Sequence, residues 1–403
     1  MPTMEPQPLV SSDDMLWRDE LRASLRTPEA LVAAGLLTAE AALRLHELDL
    51  PFELAVTPSY AALIDRKDPR CPIGLQALPS LTEQDPVLPP WAEAASQRIY
   101  GAATPWRADA IGDLARLVAP RLTHRYGNRA LLHVSSHCSV YCRFCFRKAH
   151  LSTKEEALYG GDFAPALSYL RTHTEVTELI LTGGDPLTLT DTALTKLLDA
   201  IEESVPHIRV LRIHSRVAVT LASRLTAGLA RTLTAPRPYL LTLVSHFNHP
   251  RELSAAARTG LLMLRRGGIP LYNQSVLLHG VNDDAATLAA LFQLLYENGI
   301  TPMYLHHADW TPGTFHFRVS VARGQGLYRE LQGRVAGPAL PRYVLDLPGG
   351  FGKVPVSTLA LSEELPQDLE RGFGGGIYST LCPHRRGGQG REHVSYLDLH
   401  RLL

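Results

Sequence analysis

Residues 129–150 read RALLHVSSHCSVYCRFCFRKAH, and this stretch decides the fold. Its opening, Ala130–Val134, is an apolar run of strand length. Cys138, Cys142 and Cys145 follow at once in a C-x3-C-x2-C spacing. Working outward, the same unit of apolar run, polar loop and amphipathic stretch recurs. Strands are expected at Glu178–Thr182, Val210–Ile213, Tyr239–Val244, Asn273–Leu277 and Met303–His306. Helices are expected between them at Phe163–His173, Leu194–Glu203, Glu252–Arg265 and Ala285–Asn298. Strands alternating with helices of this length specify βα units and a parallel sheet. Six such units without a Rossmann glycine fingerprint predict an α/β fold, a partial (β/α)6 TIM-like barrel. Its functional residues would lie at the C-terminal ends of the strands.

The flanks differ from this core. Residues 1–108 read as a helical N-terminal region, in which TPEALVAAGLLTAEAALRLHEL places Thr27 as an N-cap before Pro28. Residues 86–90 read as a linker. The core is expected over 109–335 and a C-terminal α+β segment over 336–403. At about 150 residues per domain, 403 residues suggest two or three units. The 40 Lys+Arg balance 40 Asp+Glu, so no basic excess points to nucleic acid. The start lacks a basic segment followed by an apolar one, and no apolar run reaches ~18 residues. A cytoplasmic protein without a membrane segment is therefore expected. Five cysteines are too few for a disulfide scaffold.

Three thiolates on one tight loop can ligate three irons of a [4Fe–4S] cube and leave the fourth open to a chelating small molecule. On spacing alone, a zinc site with His133, His137 or His150 as fourth ligand stays open. LTGGDP (181–186) follows the second strand; alone, Gly183, Gly184 and Asp185 read as a strand-to-helix turn. DLPGGFGKVPV (346–356) carries Lys353 in a glycine-rich segment. Val354 and Pro355 oppose a phosphate loop, which needs Ser or Thr and a helix there. A solvated loop lysine and a Schiff-base lysine for pyridoxal phosphate both remain.

The cysteine spacing, with Phe144 before the last cysteine, resembles the radical S-adenosylmethionine superfamily. Together with GGD and Lys353 it resembles the lysine 2,3-aminomutase family, from about residue 100 to 360. LTHRYGNRALL (122–132), IHSRVAV (213–219), HFNHP (246–250), NQSVLL and GVND (273–283) and HFR (316–318) continue the match in unbroken order. The resemblance implies that Cys138, Cys142 and Cys145 hold the cluster. It implies that Phe144, Gly183, Gly184, Asp185, Ser215, Arg216, His246 and Gln274 line the S-adenosylmethionine and cofactor pocket. Arg125, Tyr126 and Arg129 would hold pyridoxal 5′-phosphate, with Lys353 as the catalytic amine; in isolation HRYGNR would be a solvated turn. Arg147 would bind the substrate carboxylate. Asp309 and Asp346 would bind the side-chain ammonium of lysine, because burying an ammonium requires paired carboxylates.

The implied activity is interconversion of L-lysine and β-lysine (3,6-diaminohexanoate), an isomerase reaction run by a 5′-deoxyadenosyl radical on a pyridoxal phosphate aldimine. Arginine is the alternative substrate, since aspartates also pair with guanidinium. The C-R-F-C-F-R wording also resembles relatives that make β-lysine for elongation factor P. A flavodoxin or ferredoxin as electron donor and a homo-oligomer are further implications. Some members carry an interface zinc site. Here Asp284 follows GVND and the tail offers only Cys382 and His384, so no structural zinc is expected. Cys71 receives no role.

Overall fold

The computed structural model describes residues 12–47, 52–370, 372–382 and 392–401. A ten-stranded sheet runs in chain order. An antiparallel hairpin, β1 (Leu117–Ala119) and β2 (Leu122–Tyr126), leads into β3 (Arg129–Ser135). Then come β4 (Glu178–Gly183), β5 (Val210–His214), β6 (Leu240–Ser245), β7 (Leu271–Leu277), β8 (Thr301–His307) and β9 (Arg342–Leu347), each parallel to the one before. The antiparallel β10 (Gly352–Pro355) closes the order. All six expected strands are present, with ends displaced by no more than two residues.

The main helices that follow β4 to β8 start where side chains cap them. Thr190 Oγ1 accepts from Ala193 N at 3.1 Å, and Asp284 Oδ1 accepts from Thr287 N at 2.8 Å. They cover the outer sheet face, where Leu132, Leu181, Leu211, Ile213 and Leu243 are buried. Each such side chain contributes about 1.5–3 kcal/mol of burial. The inner face is different. Register aligns His133 with Thr182, Gln274 with Tyr304, His306 with Val344 and Asp346 with Lys353. In a closed barrel such layers are packed branched side chains; here, Val344 apart, the residues of these pairs are polar.

Two expectations about the C-terminal side are corrected. The parallel array does not stop at β8: β9 extends it, pairing Tyr343 with Leu305. The run YVLDL is short, sits between Pro341 and Pro348, and is not among the strands expected from the sequence. The segment after 335 is not α+β. Among the described residues it holds β9, β10 and a separate antiparallel sheet of β11 (Ala360–Glu364), β12 (Phe373–Cys382) and β13 (Glu392–Arg401), with only two single-turn 3₁₀ helices. The boundary expected at 335/336 thus falls inside the main sheet. His384 lies outside the described residues, as does the amino-terminal segment 1–11.

The sheet curls until its two ends meet. Arg116 Nη2 donates to Gly350 O at 3.0 Å, and Lys353 N donates to the Tyr126 hydroxyl at 3.0 Å. The fold is therefore α/β with a mostly parallel, barrel-like wall joined by side chains between β2 and β10. The N-terminal region is helical as expected (Ser12–Arg22, Pro28–Ala33, Ala39–Glu47, Pro90–Tyr100), with Thr27 Oγ1 capping at 3.2 Å from Ala30 N.

Candidate active site

The cysteine loop leaves the end of β3 and is fixed on both sides. Tyr141 N donates to Ala55 O (3.3 Å), Arg143 N to Gln76 O (2.8 Å), and Ser139 Oγ lies 2.7 Å from Thr220 Oγ1. Cys138, Cys142 and Cys145 are free of disulfides. Burial, then the charge of neighbouring groups that include the other two sulfurs, raises the Cys138 thiol well above its usual range; burial and the Cys142 charge push Cys145 up to about 12. Three half-buried sulfurs on one loop are suited to a cationic iron centre, which would supply the positive charge that thiolates so close together need. Among the described residues no group of three or more His, Cys, Asp or Glu side chains is arranged to hold a single metal ion.

The turn after β4 seats this loop. Gly184 N donates to Ser135 O (2.6 Å) and Asp185 N to His137 O (2.8 Å). Gly183 sits at φ +120°, and a Cβ on Gly184 would lie 2.4 Å from His137 O. Only glycine permits such backbone contact. Gly184→Ala is expected to push the loop aside at a cost of about 1–3 kcal/mol, and iron bound after anaerobic reconstitution should fall well below the parent's. Full iron retention would show that the turn does not seat the loop. The Asp185 carboxylate is spent within the protein: it accepts from Ser215 Oγ (2.7 Å), Arg216 N (2.7 Å) and Leu187 N (3.0 Å). It locks the loops after β4 and β5 together.

Phe144 meets His246 edge-on with centroids 5.5 Å apart, and the Arg216 guanidinium lies 5.1 Å from the Phe144 centroid. His246 Nε2 is buried without a hydrogen-bond partner among the described residues, a polar atom that a ligand would satisfy. Arg216 Nη1 donates to Cys142 Sγ at 2.7 Å. Gln274 shares the inner face with Tyr304 by register.

Across the inner face, Lys353 Nζ lies 3.0 Å from Asp346 Oδ1. The same oxygen is 3.3 Å from Arg125 Nη1, and Oδ2 is 3.5 Å from His306 Nδ1. Arg125 continues to Asp113 (3.6 Å), and Asp113 takes Arg147 Nε at 2.8 Å. Arg147 Nη1 also donates to Thr182 Oγ1 at 2.8 Å. A line of alternating charges thus runs Lys353, Asp346, Arg125, Asp113, Arg147. Burial alone would raise both carboxyls; Arg147 with His133 and Arg125 holds Asp113 at about 2, and Lys353 with His306 and Arg125 holds Asp346 well below its usual range. Burial opposes the Lys353 charge, yet Asp346 outweighs it and raises the amine above its usual value. Asp309 stands apart: burial, then the Asp346 charge, pushes its carboxyl up to about 8. Arg129 lies 4.0 Å over the Tyr126 ring, and Arg125 Nε is a buried donor without a partner among the described residues. Two arginines, an aromatic face and an amine fit a phosphate-bearing aldehyde.

The structure therefore brings most of the expected residues into two groups, one at the cysteine loop and one around Lys353, with Arg147 tied to the second through Asp113; Asp309 joins it only by feeling the charges of Asp346 and Lys353. Asp113 and His306 join the site although nothing in the sequence singled them out.

Residues 125–224 match the family model described as a 4Fe-4S single cluster domain. The L-lysine 2,3-aminomutase of Clostridium subterminale is 32% identical over 368 residues, covering 91% of this chain and 84% of that one. The chain belongs to the lysine 2,3-aminomutase family. Another family member, the L-lysine 2,3-aminomutase of Escherichia coli K12, is 41% identical over 239 residues, 59% of this chain and 69% of that one. Among solved structures, a radical SAM methyltransferase from Sphaerobacter thermophilus matches with TM-score 0.41 and 18% identity, over 55% of this chain and 68% of that one. Membership makes the chain a radical S-adenosylmethionine isomerase, and its cysteine loop lies inside the stretch matched to the cluster domain. No helix of the described residues is long and apolar enough to cross a membrane.

Proposed function

We propose that this chain interconverts L-lysine and β-lysine, with pyridoxal phosphate on Lys353 and a [4Fe–4S] cluster on Cys138, Cys142 and Cys145. The observation that carries the substrate is a second carboxyl, Asp309, close enough to feel the charges of both Asp346 and Lys353, with Asp346 itself 3.0 Å from the Lys353 amine. When bound, the cluster with S-adenosylmethionine supplies the radical, and pyridoxal phosphate carries the migrating nitrogen. The chain's own residues bind and orient. Arg147, held by Asp113 and Thr182, presents a rigid fork to the α-carboxylate. Arg125, Tyr126 and Arg129 cradle the pyridoxal phosphate. Asp309 and Asp346 take the side-chain ammonium, for which Lys353 Nζ and the substrate compete at Asp346. A negatively charged side chain such as that of glutamate is repelled. Phe144, His246 and Gln274 line the S-adenosylmethionine side.

The reading is tested by anaerobic reconstitution, followed by incubation with isotopically labelled lysine, arginine and glutamate and a search for β-isomers. β-Lysine as the dominant product is expected; β-arginine as the dominant product would replace the substrate.

A pH dependence follows. A cationic ligand favours ionised Asp309, whose carboxyl lies at about 8 without one. Below that pH, binding must expel a proton. Lysine affinity should therefore rise with pH by up to ~10-fold per unit until about pH 8, then level off until the substrate ammonium itself titrates near ~10.4. Calorimetry at pH 7 in two buffers of different ionisation heat should show proton release on binding that Asp309→Asn removes.

A further inference from the structure

Gln76 belongs to the N-terminal region, ahead of every strand of the sheet, yet it is wholly buried against the site. Its Oε1 accepts from Arg216 Nη2 at 2.7 Å and from Asn248 Nδ2 at 3.0 Å. Its Nε2 donates to Glu252 Oε1 at 2.8 Å. Glu252, also wholly buried, accepts from Arg216 Nη2 at 2.8 Å with Oε1. Its Oε2 takes the backbone N–H groups of Asn248 (2.6 Å) and His249 (3.2 Å). One branch of the Arg216 guanidinium is thus pinned by two side chains. The other branch, Nη1, lies 2.7 Å from Cys142 Sγ.

We propose that Gln76 and Glu252 are positioning residues that aim Arg216 at the Cys142 sulfur and so set the electron affinity of the cluster bound there. The inference rests on the cluster reading of the cysteine loop. A hydrogen-bond donor and a positive charge at a ligand sulfur favour the more negative, reduced cluster and raise its potential. Glu252 works in both directions: it holds the guanidinium in place and its carboxylate offsets part of the cation's field. Gln76 is neutral and acts by position alone. The N-terminal region therefore reaches the redox centre through this amide side chain as well as through the Ala55 and Gln76 carbonyls that hold the cysteine loop.

The two roles separate by sign. Each chain is reconstituted anaerobically, its iron is counted, and the cluster potential is measured by a redox titration followed by electron paramagnetic resonance. Glu252→Gln keeps an acceptor for Arg216 and removes the opposing charge, so the midpoint should rise. Gln76→Met keeps the volume and removes the acceptor, so the donor at Cys142 loosens and the midpoint should fall. Midpoints that shift in the same direction, or stay at the parent value with full iron, overturn the proposal and leave packing as the only role. If Glu252→Gln loads no cluster, Gln76→Met decides alone, and an unmoved midpoint in that chain overturns the proposal. A parent chain that forms no [4Fe–4S] signal instead removes the cluster reading itself.

Discussion

Lys353→Ala is expected to lose the absorbance of bound pyridoxal and to lower turnover on the order of 10³-fold or more. The fold should survive. Asp346 would keep Arg125 at 3.3 Å and His306 at 3.5 Å, so its buried charge does not lose every partner. Lys353→Arg refines the test. It retains a cation for Asp346 but cannot condense with an aldehyde, so it should restore thermal stability and not turnover. The readouts are the visible spectrum with pyridoxal phosphate, borohydride trapping with peptide mapping, and the melting temperature. A reducible adduct that persists in Lys353→Ala would sink the assignment of the amine.

Asp309→Asn should lower kcat/KM for lysine by ~10²–10³, since breaking one side of a buried charge pair costs about 3–4 kcal/mol. The loss should sit mainly in KM, with the pyridoxal spectrum unchanged, because no described ion pair involves the Asp309 carboxylate. Discrimination against glutamate should weaken in parallel. Asp346→Asn should do broader damage: that carboxylate also holds Lys353, Arg125 and His306, so cofactor affinity falls together with lysine turnover. The contrast between the two variants is the informative measurement. Unchanged lysine turnover in Asp309→Asn would remove the lysine assignment.

The parts of this molecule legible in its sequence are those whose signal is local. The cysteine spacing, the GGD turn and the apolar runs of β3 to β8 each fit within a few residues, so periodicity and motif suffice. Lys353 was legible because its segment matches a family pattern, not because a lone lysine in a glycine-rich turn says anything. Asp113 was not legible. It acts by bridging Arg125 and Arg147, and neither partner is adjacent in the chain. His306 was read only as the end of a strand, since a histidine's role depends on which carboxylate register brings to it, here Asp346. Gln76 lies 140 residues from Arg216, and nothing near it marks it as more than helix. β9 was not among the expected strands: its strand character comes from pairing with β8 on one side and β10 on the other, which a short run of this length does not announce.

The seam between β2 and β10 sets an order of events in synthesis and folding. Its Tyr126–Lys353 contact and those beside it, Arg125 to Asp346 and Arg116 to Gly350, join residues 221 to 234 positions apart. The arginines and tyrosine of the first hairpin are translated long before the lysine of the last one. Closing so long a loop carries an entropic cost that only slowly grows with length but must be met before the contacts form. On the function proposed above, capture of the pyridoxal aldehyde would require both ends of the sheet and would report on the whole chain. A polypeptide truncated before Lys353 keeps every cysteine of the cluster loop and can never complete the other half of the site.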